Sequence, residues 1–129
     1  MGRKEAAEWM RFAEDDLEAA HYLLGMPKRR LEIICYHCQQ CAEKALKGLY
    51  ALGNLDTPRT HDFRVLVTGL SSLGDGSDLY DELSFLQPFA VAVRYPYEID
   101  LVPGDEDKAI AAAEVILAGC MAFFNESQP

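Results

Sequence analysis

One run of the sequence, which begins near Arg29 and ends at Leu52, keeps apolar and cysteine side chains at helical spacing over its whole length. At 100° per residue, these side chains fall within about 60° on either side of one direction around the helix axis. They are Leu31, Ile34, Cys35, Cys38, Ala42, Ala45, Leu46, Leu49 and Leu52. Such a stripe predicts one continuous helix with a core-facing side, and the rest of the chain has to cover that side.

The other periodic segments also have the spacing of helices. Further helices are predicted over residues 5–24, in a short stretch capped by Thr60, in a run from Asp78 that Pro88 bends or restarts, and after the acidic residues 105–107. No segment shows the alternation of a half-buried strand. Because the chain has 129 residues and is half apolar, we expect a single domain, residues 1–129. Its predicted class is all-α, an up-and-down helical bundle of about five helical segments.

The stretch "CYHCQQCAEKALK", residues 35–47, could suggest a metal knuckle or a redox motif. On the helical wheel, however, Cys35 and Cys38 face the core and His37 projects about 160° away from Cys35. No second Cys or His pair follows at finger-like spacing, and the C-x-x-C lies mid-helix rather than beside a βαβ unit. We therefore predict buried free thiols, with neither a metal site nor a cofactor.

The opposite face of this helix is polar. It carries Tyr36, Gln40, Glu43, Lys44 and Lys47, with His37 near Lys44. One interpretation is a solvated face with a Glu43–Lys47 pair, worth roughly 0.3–0.5 kcal/mol. The other is a face whose imidazole and amines contact an anion.

The charge of the chain is unevenly distributed. The formal net charge is -9, and residues 65–129 contain only Arg94 and Lys108 against eleven acids. An acidic half of this kind repels bare nucleic acid, so DNA is not an expected partner, and any polyanion has to use a local basic spot. No uninterrupted apolar run approaches the length of a membrane span, and the charged N-terminal segment does not resemble a signal peptide. We expect a cytoplasmic protein without membrane contact.

Four stretches together resemble the HEPN family, the higher eukaryotes and prokaryotes nucleotide-binding domain. They are Trp9 with "DLEAA", "CYHCQQCAEKALKGLY", "TPRTHDF" and "VRYP", in this order along essentially the whole chain. The resemblance implies a helical bundle that dimerises and is often encoded beside a minimal nucleotidyltransferase. In many members it also implies metal-independent RNA cleavage by an arginine followed a few residues later by a histidine, at a cleft across the dimer.

This sequence departs from that Arg-x(4-6)-His pattern. The matching arginine is Arg94, and "RYPYEIDLVPG" contains no histidine, so we assign no catalytic residue. A literal Arg-x6-His runs from Arg30 to His37 but stands at the start of the second helix, where it carries little weight. Arg94 can still bind phosphate while Tyr95 stacks on a base. Alternatively, Arg94 pairs with a nearby acid and the tyrosines cover a dimer seam.

Three hypotheses follow. The first is a HEPN binding module, a homodimer that serves as partner of a minimal nucleotidyltransferase in a toxin-antitoxin-like pair and binds nucleotide or RNA through Arg94, Tyr95, His37, Lys44 and Lys47. The second is an RNase in which His37 or His61 replaces the missing histidine across a dimer cleft. The third is a purely structural interaction protein. His61 is otherwise expected to fix the turn before the third helix, and His21 to face solvent.

Overall fold

The computed structural model describes residues 2–74, 76–91 and 100–127, and these form helices and connecting loops without a strand. The helices are α1 (Gly2–Leu23), α2 (Leu31–Leu52), α3 (Phe63–Gly69), α4 (Tyr80–Leu86) and α5 (Asp105–Glu126). Short 3-10 helices, Ser77–Leu79 and Gln87–Val91, flank α4. The predicted all-α bundle of about five helical segments is confirmed.

Helix α2 is the central helix of the bundle. Thirteen of its 22 residues are buried, and it packs against α1, α3, α4 and α5. Cys35 and Cys38 face the core as predicted, and Cys41, which lies outside the predicted stripe, is also fully buried. Because α1 and α5 both pack on α2, the covered side is wider than the stripe alone indicated.

A close approach between α1 and α2 depends on Gly48. A Cβ atom at this position would lie 2.8 Å from Met10 Cε and 3.1 Å from Trp9 Cβ. Both distances are shorter than ordinary contacts between carbon atoms. The absence of a side chain on Gly48 therefore sets how tightly α1 and α2 pack.

The region between α2 and α5 contains the short helices, which are joined by one side chain. The α-helix is interrupted near Pro88 as predicted, because α4 ends at Leu86 and a 3-10 turn follows. The Gln87 amide accepts a hydrogen bond from Phe63 N at 2.7 Å and donates one to His61 O at 3.0 Å. Gln87 thus ties the end of α4 to the start of α3.

The predicted cap of α3 was wrong by two residues. Asp62, not Thr60, is the N-cap, and its carboxylate accepts a hydrogen bond from Arg64 N at 2.9 Å. Thr60 lies in the turn before the helix, where its hydroxyl accepts a hydrogen bond from Asp62 N. A carboxylate two residues nearer to the helix has the shorter reach to the unpaired amides of the first turn.

Helix α5 closes the bundle. By length and composition it could cross a membrane, since its most apolar 18-residue stretch has a mean hydropathy of 1.5. Eight of its residues are nevertheless buried, and they pack against α1, α2 and α4 as the core helix of a soluble domain does. At its start, buried Glu106 accepts hydrogen bonds from Gly104 N at 2.7 Å and from Arg29 at 3.1 Å.

Candidate functional site

Asp16 lies between two of the predicted site residues. From α1 it reaches α2, where Oδ1 is 2.8 Å from His37 Nδ1 and Oδ2 is 2.6 Å from Lys44 Nζ. Its side chain is 12% exposed. Burial alone would raise the pKa of Asp16, but the hydrogen bonds and charges of His37 and Lys44 hold it below the ordinary value. The carboxylate therefore stays ionised and fixes both partners.

Glu43 makes a second and more deeply buried set of contacts. Its Oε1 accepts a hydrogen bond from Gln39 at 3.1 Å and lies 2.7 Å from His61 Nδ1, and its Oε2 is 2.9 Å from Lys47 Nζ. Burial acts to raise the pKa of Glu43, while the hydrogen bonds from Lys47, His61 and Gln39 bring it below the ordinary value. The central helix thus holds a charged carboxylate beside the segment that enters α3.

The two sets are neighbours on α2, and Gln40 belongs to the second of them. Gln40 donates a hydrogen bond to Gln39 Oε1 at 2.8 Å, and Glu43 and Lys44 are adjacent in sequence. We call the whole set the α2 polar cluster. Its members are Asp16, His37, Gln39, Gln40, Glu43, Lys44, Lys47 and His61.

The α2 polar cluster is balanced in charge when its imidazoles are neutral. Two carboxylates face two ammonium groups, so protonation of His37 and His61 would add up to two positive charges. His61 is 59% exposed, and the carboxylate at Nδ1 fixes its ring in one orientation. An imidazole held this way can exchange a proton through Nε2, as a general acid or base does.

The cysteines take no part in this cluster. Cys35, Cys38, Cys41 and Cys120 are all free and buried. Burial raises the pKa of Cys35, Cys41 and Cys120 to about 12 and raises that of Cys38 as well. Among the described residues, no three or more His, Cys, Asp or Glu side chains are grouped so that they could hold a metal ion. The stretch "CYHCQQC" contributes its thiols to the core, and it contributes His37, Gln39 and Gln40 to the α2 polar cluster.

Comparison with known proteins identifies the fold. The family model of the HEPN domain matches residues 6–121 of the chain. The chain belongs to the HEPN domain family. The crystal structure of TT1696 from Thermus thermophilus has a TM-score of 0.78 and 27% sequence identity, covering 95% of this chain and 99% of that one. The crystal structure of ST0689, an archaeal HEPN homologue, has a TM-score of 0.71 and 29% identity, covering 93% and 98%. No curated protein matches the chain.

The HEPN fold brings only some of the predicted site residues together. His37 and Lys44 meet on Asp16, and Lys47 lies close by on Glu43. Arg94 and Tyr95 lie outside the described residues, so their place beside the cluster stays a prediction. The interpretation of this face as solvated was wrong for the Glu43–Lys47 pair, because the side chains are only 6% and 12% exposed. The pair itself exists, but the HEPN core and the residues before α3 cover it.

Two acids that hold the cluster together were not predicted from the sequence. Asp16 had no predicted role, and Glu43 was predicted only as a surface partner of Lys47. A signal for Asp16 was present, since it stands three residues after Ala13 and four before Ala20, both of which are fully buried. A carboxylate at that spacing points along the edge of the buried face of α1 and requires a partner.

Proposed function

We propose that this chain is a HEPN binding module that forms a homodimer and binds nucleotide or RNA phosphate, as the partner of a minimal nucleotidyltransferase in a cytoplasmic two-protein system. The observation that carries the proposal is the bridge made by Asp16. One largely buried carboxylate fixes His37 and Lys44, two turns apart on the same face of α2. Donors that are fixed in advance lose little freedom when an anion binds.

The hydrogen-bonding capacity of these two side chains supports anion binding. An ammonium group has three N–H donors and an imidazole has a second nitrogen. Asp16 engages Nδ1 of His37 and one N–H of Lys44, and both side chains are partly exposed. The remaining donors can contact phosphate oxygens, to which Arg94 and Tyr95 would add a guanidinium fork and a stacking ring.

A binding role is favoured over catalysis because the family's histidine is missing after Arg94. The three histidines of the chain, His21, His37 and His61, all precede Arg94 in the sequence. The four buried free thiols fit the reducing cytoplasm included in the proposal.

Calorimetry and co-elution test this function. Titration with ATP, GTP and a short RNA should give saturable heat for one of them, and Lys44→Ala and Arg94→Ala should each weaken the binding about tenfold. Lys28→Ala is the control, because Lys28 is exposed and lies in the α1–α2 connection. A nucleotidyltransferase encoded next to this chain should co-elute with it. Absence of both heat and co-elution contradicts the proposal.

A second function is favoured by one observation, the Glu43–His61 contact. His61 is largely exposed while Glu43 holds its Nδ1, which is the arrangement of a carboxylate-oriented general base. RNA cleavage in EDTA that is lost in His61→Ala and retained in His21→Ala would establish this function. Intact RNA at high protein concentration would remove it.

A further inference from the structure

The outer face of α1 has the pattern of a helix-binding surface. Positions on this face follow alternating spacings of three and four residues, which is how one helix presents a seam to another. They are Glu5, Glu8, Phe12, Asp15, Ala19 and Tyr22. The residues of α1 that are buried against the rest of the bundle are different ones: Ala6, Met10, Ala13 and Ala20. The seam is therefore a second face of α1 that the fold itself does not use.

Large apolar side chains are exposed on this seam. Phe12 is 44% exposed and Tyr22 is 85% exposed. A hollow of about 300 Å³ lies around Trp9 and Phe12, and its wall is almost entirely apolar. A second hollow of about 390 Å³ lies around Ala19, Tyr22 and Leu23. The two hollows are about three helical turns, or roughly 16 Å, apart along α1.

More acidic than basic side chains line the two hollows: Lys4, Glu5 and Glu8 border the first, and Asp15, Glu18 and His37 border the second. Helix α1 contains six acidic and three basic residues. Arg11 is engaged by Glu8 at 2.8 Å and by Asp15 at 3.6 Å, and its guanidinium lies 4.6 Å from the Phe12 ring centroid. Within the described part of the chain, neither Glu5 nor Glu18 has an ion-pair partner. An occupant of this surface has to supply positive charge.

We propose that the outer face of α1 binds a basic amphipathic helix of a partner protein, with two apolar side chains about three turns apart filling the two hollows and lysines or arginines facing the carboxylates. Charge complementarity selects this occupant. A second copy of the chain would bring its own acidic α1 to the seam, and its basic residues 28–30 lie in a connection rather than on a helix. RNA is repelled by the same carboxylates.

This surface is distinct from the residues that we propose to bind phosphate. Only His37, which borders the second hollow, belongs both to it and to the α2 polar cluster. Loss of nucleotide binding in Lys44→Ala would therefore leave helix binding intact. Conversely, substitutions at Phe12 would leave nucleotide binding intact, so the failure of one proposal is distinguishable from that of the other.

The test uses Trp9, the one tryptophan of the chain, as the reporter at the first hollow. The probe is a synthetic, tryptophan-free helical peptide with two leucines about eleven residues apart and lysines between them on the same face. Titration should shift Trp9 fluorescence to shorter wavelength and saturate, and added salt should weaken the binding. The matched peptide with glutamates in place of the lysines should leave the emission unchanged.

Two seam variants and one control complete the experiment. Phe12→Ser and Tyr22→Ser should each lower the affinity for the lysine peptide about tenfold, since central aromatic contacts dominate helix interfaces. Tyr80→Ser, at a similarly exposed tyrosine on α4, should bind as the parent does. Circular dichroism should show all three variants folded, because the changed side chains are exposed.

Three results would overturn the proposal. The first is equal binding of the glutamate and lysine peptides, and the second is unchanged Trp9 emission at the highest soluble peptide concentration. The third is sedimentation in which Phe12→Ser converts a dimer of the parent protein to a monomer. That result would assign the seam to a second copy of the chain.

Discussion

The Glu43 carboxylate lies 2.7 Å from His61 Nδ1, and this contact fastens the segment before α3 to the central helix. Glu43 also holds the almost buried ammonium group of Lys47. Because removal of one member of a buried pair leaves the other charge uncompensated, Glu43→Gln should lower the free energy of unfolding by about 2 kcal/mol. Urea denaturation measures this change.

The matched control for Glu43→Gln is Glu114→Gln. Glu114 also pairs with a histidine, His21, but both side chains are about half exposed. Its substitution should change stability by no more than about 0.5 kcal/mol. Equal losses in the two variants would show that burial of the Glu43 contacts does not stabilise the fold.

Asp16 should make stability depend on acid pH. Its pKa in the folded protein is below the ordinary 3.8, so its contribution is complete above that value and is lost as the pH falls through the folded pKa. Asp16→Asn should therefore be less stable than the parent at neutral pH, and the two should converge in acid. Urea unfolding at a series of pH values measures the difference in the free energy of unfolding between the two proteins. A difference that stays the same from neutral to acid pH would contradict the prediction.

Substitutions of two glycines by alanine, one at the α1–α2 contact and one on α5, should have opposite effects on stability. At Gly48 a Cβ meets Trp9 Cβ at 3.1 Å, and the methyl of Met10 at 2.8 Å has to move away. We expect Gly48→Ala to lower stability by about 1 kcal/mol despite the better helix propensity of alanine. Gly119→Ala on α5 meets only Leu79 carbons at 3.8 Å and should raise stability by about 0.5–1 kcal/mol. Thermal unfolding of both variants provides the comparison, and a stabilised Gly48→Ala would show that the helices can separate freely.

The four thiols should be unreactive in the folded protein. Burial raises the pKa of Cys35, Cys41 and Cys120 to about 12 and raises that of Cys38, so almost no thiolate is present at neutral pH. A disulfide reagent at a pH of about 7.5 should therefore label the folded chain only at the rate of its opening, and all four cysteines in urea. Rapid labelling of one cysteine under native conditions would locate an exposed thiol that the fold does not show.

Features that depend on a single helix could be predicted from the sequence, whereas contacts that depend on the packing of two helices could not. The core-facing orientation of Cys35 and Cys38 followed from the spacing of apolar residues along α2, because a helical wheel requires no knowledge of the neighbouring helices. The Asp16–Lys44 pair joins residues 28 positions apart, and its formation depends on how α1 crosses α2. Periodicity carries no information on that crossing.

The same limit explains the errors around α3. Thr60 and Asp62 are both good capping residues, and the choice between them depends on where the backbone turns. That turn is set by Gln87, a residue more than twenty positions away that bonds Phe63 N and His61 O. The pairing of Glu43 with His61 depends on the same turn, so the sequence alone could not show it.

Gln87 also determines how the bundle is expected to open. The Gln87 side chain joins the end of α4 to the start of α3 by two hydrogen bonds. Because of this link, the two short helices should exchange their amide hydrogens with solvent water as one cooperative unit. Their protection should be lower than that of α2, whose amides become exposed only when the whole domain unfolds.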